Sequence, residues 1–219
     1  MSNGEAGLVL ASGSPRRRAL LDMLAVPFEV VPAAVDERYR EGEDPRAHAE
    51  RLAREKAALV AARRPGTLAI GADTVVVVDG LVLGKPVDEA DAVRMLMLLQ
   101  GRAHEVATGV AVSNGEAIRS GVESVEVRFR SFDDAYARAY VRTGEPMDKA
   151  GAYGIQGYGA TLVEAIRGDF FAVMGLPIVR LLALLEAEGW RYTFGGAGSP
   201  APGRAGSAPS GRPERAGTR

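Results

Sequence analysis

Short runs of apolar residues alternate along the chain with longer segments whose apolar positions recur at helical spacing. Near the start, the four apolar residues 8–11 are typical of a buried strand. Between positions 19 and 24, four apolar residues then recur on one side of a helix. Ser14 followed by Pro15 is a favoured way to begin a helix, because serine caps the first turn and proline suits its first position. The pattern predicts a strand that turns directly into an amphipathic helix.

The same pattern predicts the later elements. Helices are expected over about residues 45–64, 88–99, 133–143 and 177–188, and strands at 28–32, 67–71, 74–79, 81–83, 104–112, 117–129, 160–166 and 190–194. Two hairpin turns are expected, at Asp79-Gly80 and at residues 113–115. Residues 36–43 are polar and are expected to form a surface loop. The glycine-rich residues 145–157 are expected to form a longer loop, either a ligand-binding segment or an irregular connection.

The first predicted helix begins with three arginines, Arg16, Arg17 and Arg18. The N-terminus of a helix offers free N–H groups and a partial positive charge, so it attracts anions and disfavours cations. A multiply charged anion such as a triphosphate would resolve this conflict, although arginines in a first turn can also simply face water. The spacing matches neither the Walker loop nor the dinucleotide-binding glycine motif, so those two classes of phosphate site are disfavoured.

Two charged residues lie in otherwise apolar surroundings. Asp73 falls between two apolar runs, where an aspartate is costly unless it is paired or bound to a cation. It is expected at a strand end, either as a satisfied core carboxylate or as a catalytic or metal-binding acid. Lys56 lies at the edge of a helical apolar stripe, and its spacing alone favours a surface lysine over a lysine that reaches into a cleft. His48 and His104 lack metal-type spacing and are expected to be structural or surface residues.

Composition narrows the functional classes. The 219 residues include no cysteine, which excludes disulfides and thiolate chemistry, and 47% hydrophobic residues are enough for a sizeable core. We expect a domain over residues 1–194 and a disordered Gly/Pro/Ala/Arg tail over 195–219. The tail contains four arginines and one glutamate, so the net charge of −1 for the chain leaves −4 for the domain. That acidic balance argues against nucleic-acid binding. With no secretory signal and no apolar run of the ~18 residues that a membrane span needs, a cytoplasmic location is expected.

Seven segments together resemble the Maf family of septum-formation-inhibitor-like proteins, and the resemblance covers about residues 7–190. The segments are A-S-G-S-P-R-R at 11–17, D-E at 36–37, L-A-R-E-K-A at 52–57, G-A-D-T-V-V at 71–76, G-K-P at 84–86, D-K-A-G-A-Y-G-I-Q-G at 148–157 and G-L-P at 175–177. The family consists of nucleoside triphosphate pyrophosphatases with an α/β fold related to inosine triphosphate pyrophosphatases. The resemblance therefore implies a central mixed sheet with helices on both sides and two lobes around a substrate cleft.

The resemblance also implies an activity and its residues. Water would attack the α-phosphorus of a nucleoside triphosphate in the presence of a divalent metal (Mg, Mn or Co), giving a monophosphate and pyrophosphate. Asp73 matches the family's proton acceptor. The positions linked to substrate choice are Arg16, Thr74 and Gln156. Those expected to bind phosphate are Ser12, Arg16, Arg17, Lys56 and Lys85.

Aspartate alone is a weak base for water, so a metal is expected to share in activating the water, with Glu37 and Asp73 as its ligands. The amide of Gln156 has both a donor and an acceptor, which suits the edge of uracil or thymine. The unbroken segment at 149–157 resembles the branch of the family that acts on dTTP and UTP, and a homodimer is the family expectation. Two alternatives stay open. One is a pyrophosphatase for 7-methyl-GTP or another modified nucleotide, and the other is a nucleotide-binding regulator of cell division with little turnover.

Overall fold

The computed structural model describes residues 7–194 in full and the backbone of residues 196–200. The described residues form nine strands: β1 Gly7–Leu10, β2 Phe28–Val30, β3 Thr67–Val78, β4 Leu81–Leu83, β5 Ala103–Ser113, β6 Ile118–Phe129, β7 Val163–Arg167, β8 Trp190–Thr193 and β9 Gly196–Pro200. The α-helices are α1 Pro15–Asp22, α2 Pro45–Ala61, α3 Glu89–Leu99, α4 Asp134–Val141, α5 Phe170–Met174 and α6 Ile178–Ala187. Short 3-10 helices cover Glu145–Asp148, Ala150–Ala152 and Gly157–Thr161.

Seven strands form one mixed sheet, which confirms the predicted α/β class. Its order is β2-β1-β3-β5-β6-β7, with β4 paired to β3 outside this path. Strand β1 runs parallel to β2 and β3, whereas β4, β5, β6 and β7 pair with their neighbours antiparallel. Strands β8 and β9 form a separate antiparallel pair.

The central strand β3 has a gap along one edge. On its other edge β5 pairs with residues 69–77 without interruption. On the gapped edge, β1 pairs with residues 67–70 and β4 with residues 76–78. In the described part of the chain, no strand pairs with residues 71–75 on that edge. The expectation of two strands flanking Asp73 is therefore wrong, because a single 12-residue strand passes through this position.

Helices cover both faces of the sheet, as predicted. Helix α2 packs very close to one face: a Cβ on Gly71 would lie 2.1 Å from the Ala53 oxygen, and one on Gly109 would lie 2.3 Å from the Ala49 oxygen. On the opposite face, one apolar cluster gathers around α1 and α6 and another around α3 and α4. The lack of side chains at the two glycines is what lets α2 lie in contact with the strands.

Several predicted boundaries differ from the structure. Helix α2 ends at Ala61 and not near 64, and residues 157–161 form a 3-10 helix before β7 begins at Val163. Helix α5 was not predicted, because five residues are too few to show a helical period.

Composition led us to expect no structure after residue 194, but the backbone of Gly196–Pro200 pairs with β8. The rest of the predicted tail lies outside the described residues, so its disorder stays a prediction, as does the division into two lobes. In residues 7–194, no helix has both the length and the apolar character needed to cross a membrane.

Candidate active site

A cavity of about 780 Å³ opens at the gap in the edge of β3. The end of β1, the start of α1, the middle of β3 and the loops after β4 and before Gly157 all contribute to its wall. Every site residue predicted from the sequence lines this one cavity: Ser12, Arg16, Arg17, Glu37, Lys56, Asp73, Thr74, Lys85 and Gln156. Residues separated by as many as 144 positions in the chain are thus brought to a common surface.

Arg17 fastens the start of α1 to the rest of the site. Its Nε donates to the Gly175 carbonyl at 2.8 Å, its Nη1 to the Ala72 carbonyl at 2.8 Å and Ser12 Oγ at 3.2 Å, and its Nη2 to Thr74 Oγ1 at 3.2 Å. The Ala72 carbonyl lies on the gapped edge of β3, so the guanidinium satisfies a backbone group that no strand pairs with there. Burial lowers the pKa of Arg17, and the neighbouring charge of Asp73 opposes that shift.

The first turn of α1 forms as the sequence predicted. Ser14 is the N-cap, with its hydroxyl facing the Arg17 N–H, and Pro15 follows at the first helical position. Ser12 Oγ accepts a further hydrogen bond from the Ser14 N–H at 3.2 Å. Arg16 points across the cavity mouth and donates to Asp148 Oδ2 at 2.9 Å, in a pair that is largely open to water. Adjacent arginines therefore differ: Arg17 is held by the protein's own oxygens, and Arg16 has one exposed partner.

Lys56 lies inside the cavity between two carboxylates, so the expectation of a surface lysine is wrong. Its side chain is only 8% exposed, and its Nζ lies 2.6 Å from Glu37 Oε1 and 2.7 Å from Asp73 Oδ1. Glu37 arrives from the loop after β2 and Asp73 from the centre of β3. Burial raises the pKa of Glu37, but the hydrogen bond and charge of Lys56 outweigh it, with help from Lys85, and the pKa is lowered overall.

The two faces of β3 give Asp73 and Thr74 different surroundings. Asp73 points towards α2, where Lys56 meets it. Thr74 points to the opposite face, where its hydroxyl lies 2.9 Å from that of Thr108 on β5. Thr108, fully buried, in turn donates to the Ala172 carbonyl of α5 at 2.7 Å. The Thr74 hydroxyl is thus fixed by Arg17 on one side and Thr108 on the other.

With this geometry in view, comparison with known proteins gives a family. The sequence model of the Maf-like protein family matches residues 7–188. The chain belongs to the Maf family. Among its relatives, a dTTP/UTP pyrophosphatase of Symbiobacterium thermophilum is 49% identical over 191 residues, which cover 87% of this chain and 98% of the relative.

Two further relatives carry the same name. The dTTP/UTP pyrophosphatase of Syntrophomonas wolfei is 50% identical over 182 residues, covering 82% of this chain and 96% of the relative. That of Thermococcus gammatolerans is 51% identical over 179 residues, covering 82% and 95%. The resemblance found in the motifs is therefore confirmed along most of the chain.

The remaining predicted residues of this Maf protein present free polar groups. Lys85, just after β4, and Gln156, before the last 3-10 helix, are both exposed on the cavity wall. Within residues 7–194 neither side chain has a hydrogen-bond partner. The structure brings both to the same cavity as Asp73, and their roles towards a ligand stay predictions.

Sequence reasoning missed an aromatic pair at the same cavity. The Tyr39 ring stacks on the His48 imidazole, with centroids 3.5 Å apart and planes 5° from parallel. Burial, reinforced by the charge of Asp73, raises the pKa of the Tyr39 phenol to about 12, so it stays neutral. Both histidines are buried, and His104 meets the Tyr153 hydroxyl at 2.8 Å. Neither histidine is a surface residue. The Tyr39–His48 stack could not be predicted from any local sequence pattern.

Proposed function

We propose that this Maf protein hydrolyses dTTP and UTP to the monophosphate and pyrophosphate. The observation that carries the proposal is the convergence of all predicted site residues on one cavity, with a paired acid–lysine–acid cluster inside and the side chains of Arg16 and Lys85 near it. The names of the relatives from three organisms support the same substrates. The homodimer and the cytoplasmic location stay predictions.

The cations that face the cavity are suited to a triphosphate. Lys85 has no partner in the described part of the chain, and Arg16 is paired only with the exposed Asp148. Both can turn to phosphate oxygens at little cost, since an exposed ion pair contributes at most about 1 kcal/mol. Arg17 has most of its N–H groups committed to protein oxygens, so we assign it mainly to holding Ser12 and the first turn of α1 in place, with its remaining N–H towards phosphate.

We assign Asp73 the role of receiving the proton of the attacking water. Its Oδ1 is held by Lys56 Nζ at 2.7 Å, and its Oδ2 has no hydrogen-bond partner among the described residues. The held oxygen fixes the carboxylate, and the free one can accept from water. The water oxygen would bond to the α-phosphorus while the bond from that phosphorus to the bridging oxygen breaks. The electron pair leaves with pyrophosphate, and Asp73 passes the water proton to solvent.

The donor set fits a divalent cation only in combination with substrate. Residues 7–194 contain no group of three or more His, Cys, Asp or Glu side chains placed to hold a metal. Glu37 and Asp73, however, both contact the same ammonium group, so their carboxylates already share one cation. Mg²⁺ is commonly held by one or two carboxylates together with phosphate oxygens and water. When bound there, such a cation would offset phosphate charge and favour ionisation of the attacking water.

Base selection is assigned to the groups on the far side of β3. The Gln156 amide is exposed on the cavity wall and can donate to and accept from the edge of uracil or thymine. Thr74, held by Arg17 and Thr108, offers a fixed hydroxyl on the same cavity wall. These two residues and Arg16 are the ones expected to distinguish dTTP and UTP from other nucleotides.

The proposal is tested by product identification in ¹⁸O-labelled water with Mg²⁺, Mn²⁺ or Co²⁺ across canonical nucleotides and 7-methyl-GTP. We expect dTTP and UTP to have the highest kcat/KM, pyrophosphate to be released, and the label to enter the monophosphate. Orthophosphate release, or label in pyrophosphate, would contradict attack at the α-phosphorus. A preference for 7-methyl-GTP would reassign the substrate, and tight binding without product would favour the regulator.

A further inference from the structure

Glu145 occupies the inside of the loop that carries Gln156. One carboxylate oxygen, Oε1, accepts from the Tyr140 hydroxyl and from the Gly159 N–H, both at 2.9 Å. The other, Oε2, accepts from the Tyr158 N–H at 2.9 Å. Both oxygens are therefore engaged, and two of the three donors are backbone groups that follow Gln156 by two and three residues.

Tyr140 extends this network to the other side of Gln156. Its hydroxyl oxygen, which donates its proton to Glu145, also accepts from the Gly154 N–H at 3.1 Å. Tyr140 is 5% exposed and packed in the cluster around α3 and α4, so its position is fixed by the core. The chain is thus held two residues before Gln156 and again two residues after it by one connected set of hydrogen bonds.

The glycines of this segment are required by the same carboxylate and phenol. A Cβ on Gly157, whose φ is +68°, would lie 2.5 Å from Glu145 Oε2. A Cβ on Gly159 would lie 2.1 Å from the Gly154 carbonyl and 2.7 Å from the Tyr140 hydroxyl. The backbone can wrap around Glu145 only because these side chains are absent, which gives a physical reason for this glycine pattern.

The Gln156 side chain stays open within the wrapped segment. Its backbone is held on both sides, while its amide is exposed on the cavity wall with no partner among the described residues. Burial raises the pKa of Glu145, but the backbone hydrogen bonds from Gly159 and Tyr158 and the Tyr140 hydroxyl outweigh it, so the pKa is lowered. Glu145 is accordingly a carboxylate at neutral pH, able to accept all three bonds.

We infer that Glu145, acting through the backbone on both sides of Gln156 and with Tyr140 as its relay, is the positioning residue that sets how strictly the site selects its base. The inference rests on the proposed function, since it takes Gln156 as the group that meets the base. Glu145 is not among the residues that line the cavity. It fixes the backbone that carries the Gln156 amide before substrate binds, and this pre-organised position is what makes a hydrogen-bonding group discriminate between bases.

The test uses Glu145→Gln in the full chain, because the amide keeps the size but turns one acceptor into a donor facing backbone N–H groups. Values of kcat/KM are measured for UTP and GTP. We expect the value for UTP to fall about tenfold and that for GTP less than twofold, so that discrimination shrinks about tenfold. Glu164→Gln is the matched control: Glu164 is 54% exposed on β7, pairs with Arg128 and lies outside the cavity, and it should leave both values unchanged.

A double-mutant cycle with Gln156→Ala separates positioning from general support of the fold. If Glu145 acts through Gln156, adding Glu145→Gln to Gln156→Ala should change discrimination less than twofold further. Equal losses for UTP and GTP, independent losses in the double variant, or no change at all would overturn the inference. Should Glu145→Gln fail to fold, Tyr140→Phe takes its place, because it removes only the Tyr140 hydroxyl. Discrimination between UTP and GTP should then shrink about threefold, and the same outcomes would overturn the inference.

Failure of the proposed function is seen separately, in the wild type. If the unmodified protein prefers a nucleotide other than dTTP or UTP, the substrate assignment is wrong. The inference is then judged on that preference, which Glu145→Gln should weaken relative to the other nucleotides. A preference that survives the substitution overturns the inference whichever nucleotide is preferred.

Discussion

Helix α2 contributes to two clusters of ionised side chains that lie within two turns of each other. The clusters differ in how many of their hydrogen-bond donors and acceptors have partners. In the first, which we call the Arg51 cluster, the guanidinium binds both oxygens of Glu43 at 2.5 and 2.8 Å. It also donates to Glu55 at 3.2 Å and to the Arg38 carbonyl at 3.1 Å. Glu43 Oε2 further meets His48 Nδ1 at 2.8 Å. Donors and acceptors in this cluster are nearly all matched.

In the second, the Lys56 cluster, one ammonium serves two carboxylates and much is left open. Among the described residues, only Oδ1 of Asp73 has a hydrogen-bond partner, and the Glu37 side chain is 56% exposed. Arg51 and Glu43 face the loop at residues 38–43 and do not line the cavity, although their neighbour His48 does, whereas Lys56, Glu37 and Asp73 all line it. Similar side chains on one helix thus form a nearly fully hydrogen-bonded, stabilising cluster in one place and a cluster with unpaired acceptor groups in the other.

The comparison predicts that the same chemical change, carboxylate to amide, has opposite consequences in the two clusters. In the Lys56 cluster, Asp73→Asn removes the proposed proton acceptor and should lower kcat about 10²- to 10⁴-fold. Its unfolding temperature should stay within a few degrees, because Lys56 keeps Glu37. Pyrophosphate release and a thermal melt measure the two quantities. Full activity in the variant would contradict the role of Asp73.

In the Arg51 cluster, Glu43→Gln should cost about 3 kcal/mol of unfolding free energy, because it removes the carboxylate that binds the largely buried guanidinium through two N–H groups and leaves it only Glu55, at 3.2 Å, as a charged partner. Activity well below the melting temperature should change less than tenfold. Urea unfolding supplies the free energy. Arg40→Met is the control: its pair with Glu55 is at the surface, with Arg40 67% exposed, so a change of no more than about 0.5 kcal/mol is expected. Equal losses of unfolding free energy in the two variants would mean that the Arg51 cluster does not stabilise the fold more than a surface ion pair does.

A smaller effect is expected in how the unfolding free energy falls at acidic pH. The hydrogen bonds from Arg51 lower the pKa of Glu43 despite the opposing effect of burial, with His48 adding to the shift. Because the unfolded chain then binds this proton more readily, the contribution of Glu43 is complete above its ordinary pKa of about 4.3 and is lost as the pH falls below it. Between pH 5 and 3, wild type should lose stability more steeply than Glu43→Gln, by up to about 1.4 kcal/mol per pH unit. Parallel curves from urea unfolding would contradict this assignment.

Much of the fold follows from local pattern, and the departures have identifiable causes. The β1–α1 junction could be predicted because its strand, cap and first helical residue are adjacent in the chain. The continuity of β3 through Asp73 could not, because the carboxylate is satisfied by Lys56 from another element. A single polar position in an apolar run is compatible with either a break or a buried pair, and only the packing of α2 decides.

The candidate site shows the same division. The family motifs named nine positions, and all nine line one cavity. Their partnerships were not predictable: spacing favoured a surface location for Lys56, and the residues that bury it come from positions 37 and 73. The Tyr39–His48 stack and the wrapping of the 154–159 segment around Glu145 join residues that carry no shared local signal.

The interrupted edge of β3 has a consequence for how substrate preference can diverge. Neighbouring residues on a strand normally serve opposite surfaces of a sheet and cannot share a ligand. In the described part of the chain no strand pairs with residues 71–75 on this edge, so a nucleotide bound in the cavity as we propose can meet Asp73 and Thr74 with different parts of the same molecule. The proposed hydrolytic groups and the proposed base-selecting groups then lie on opposite faces of one strand, and Arg17 is the side chain that interacts with both Asp73 and Thr74. Substitutions on the Thr74 side can retune which nucleotide is accepted while the acid–lysine–acid cluster behind it stays undisturbed.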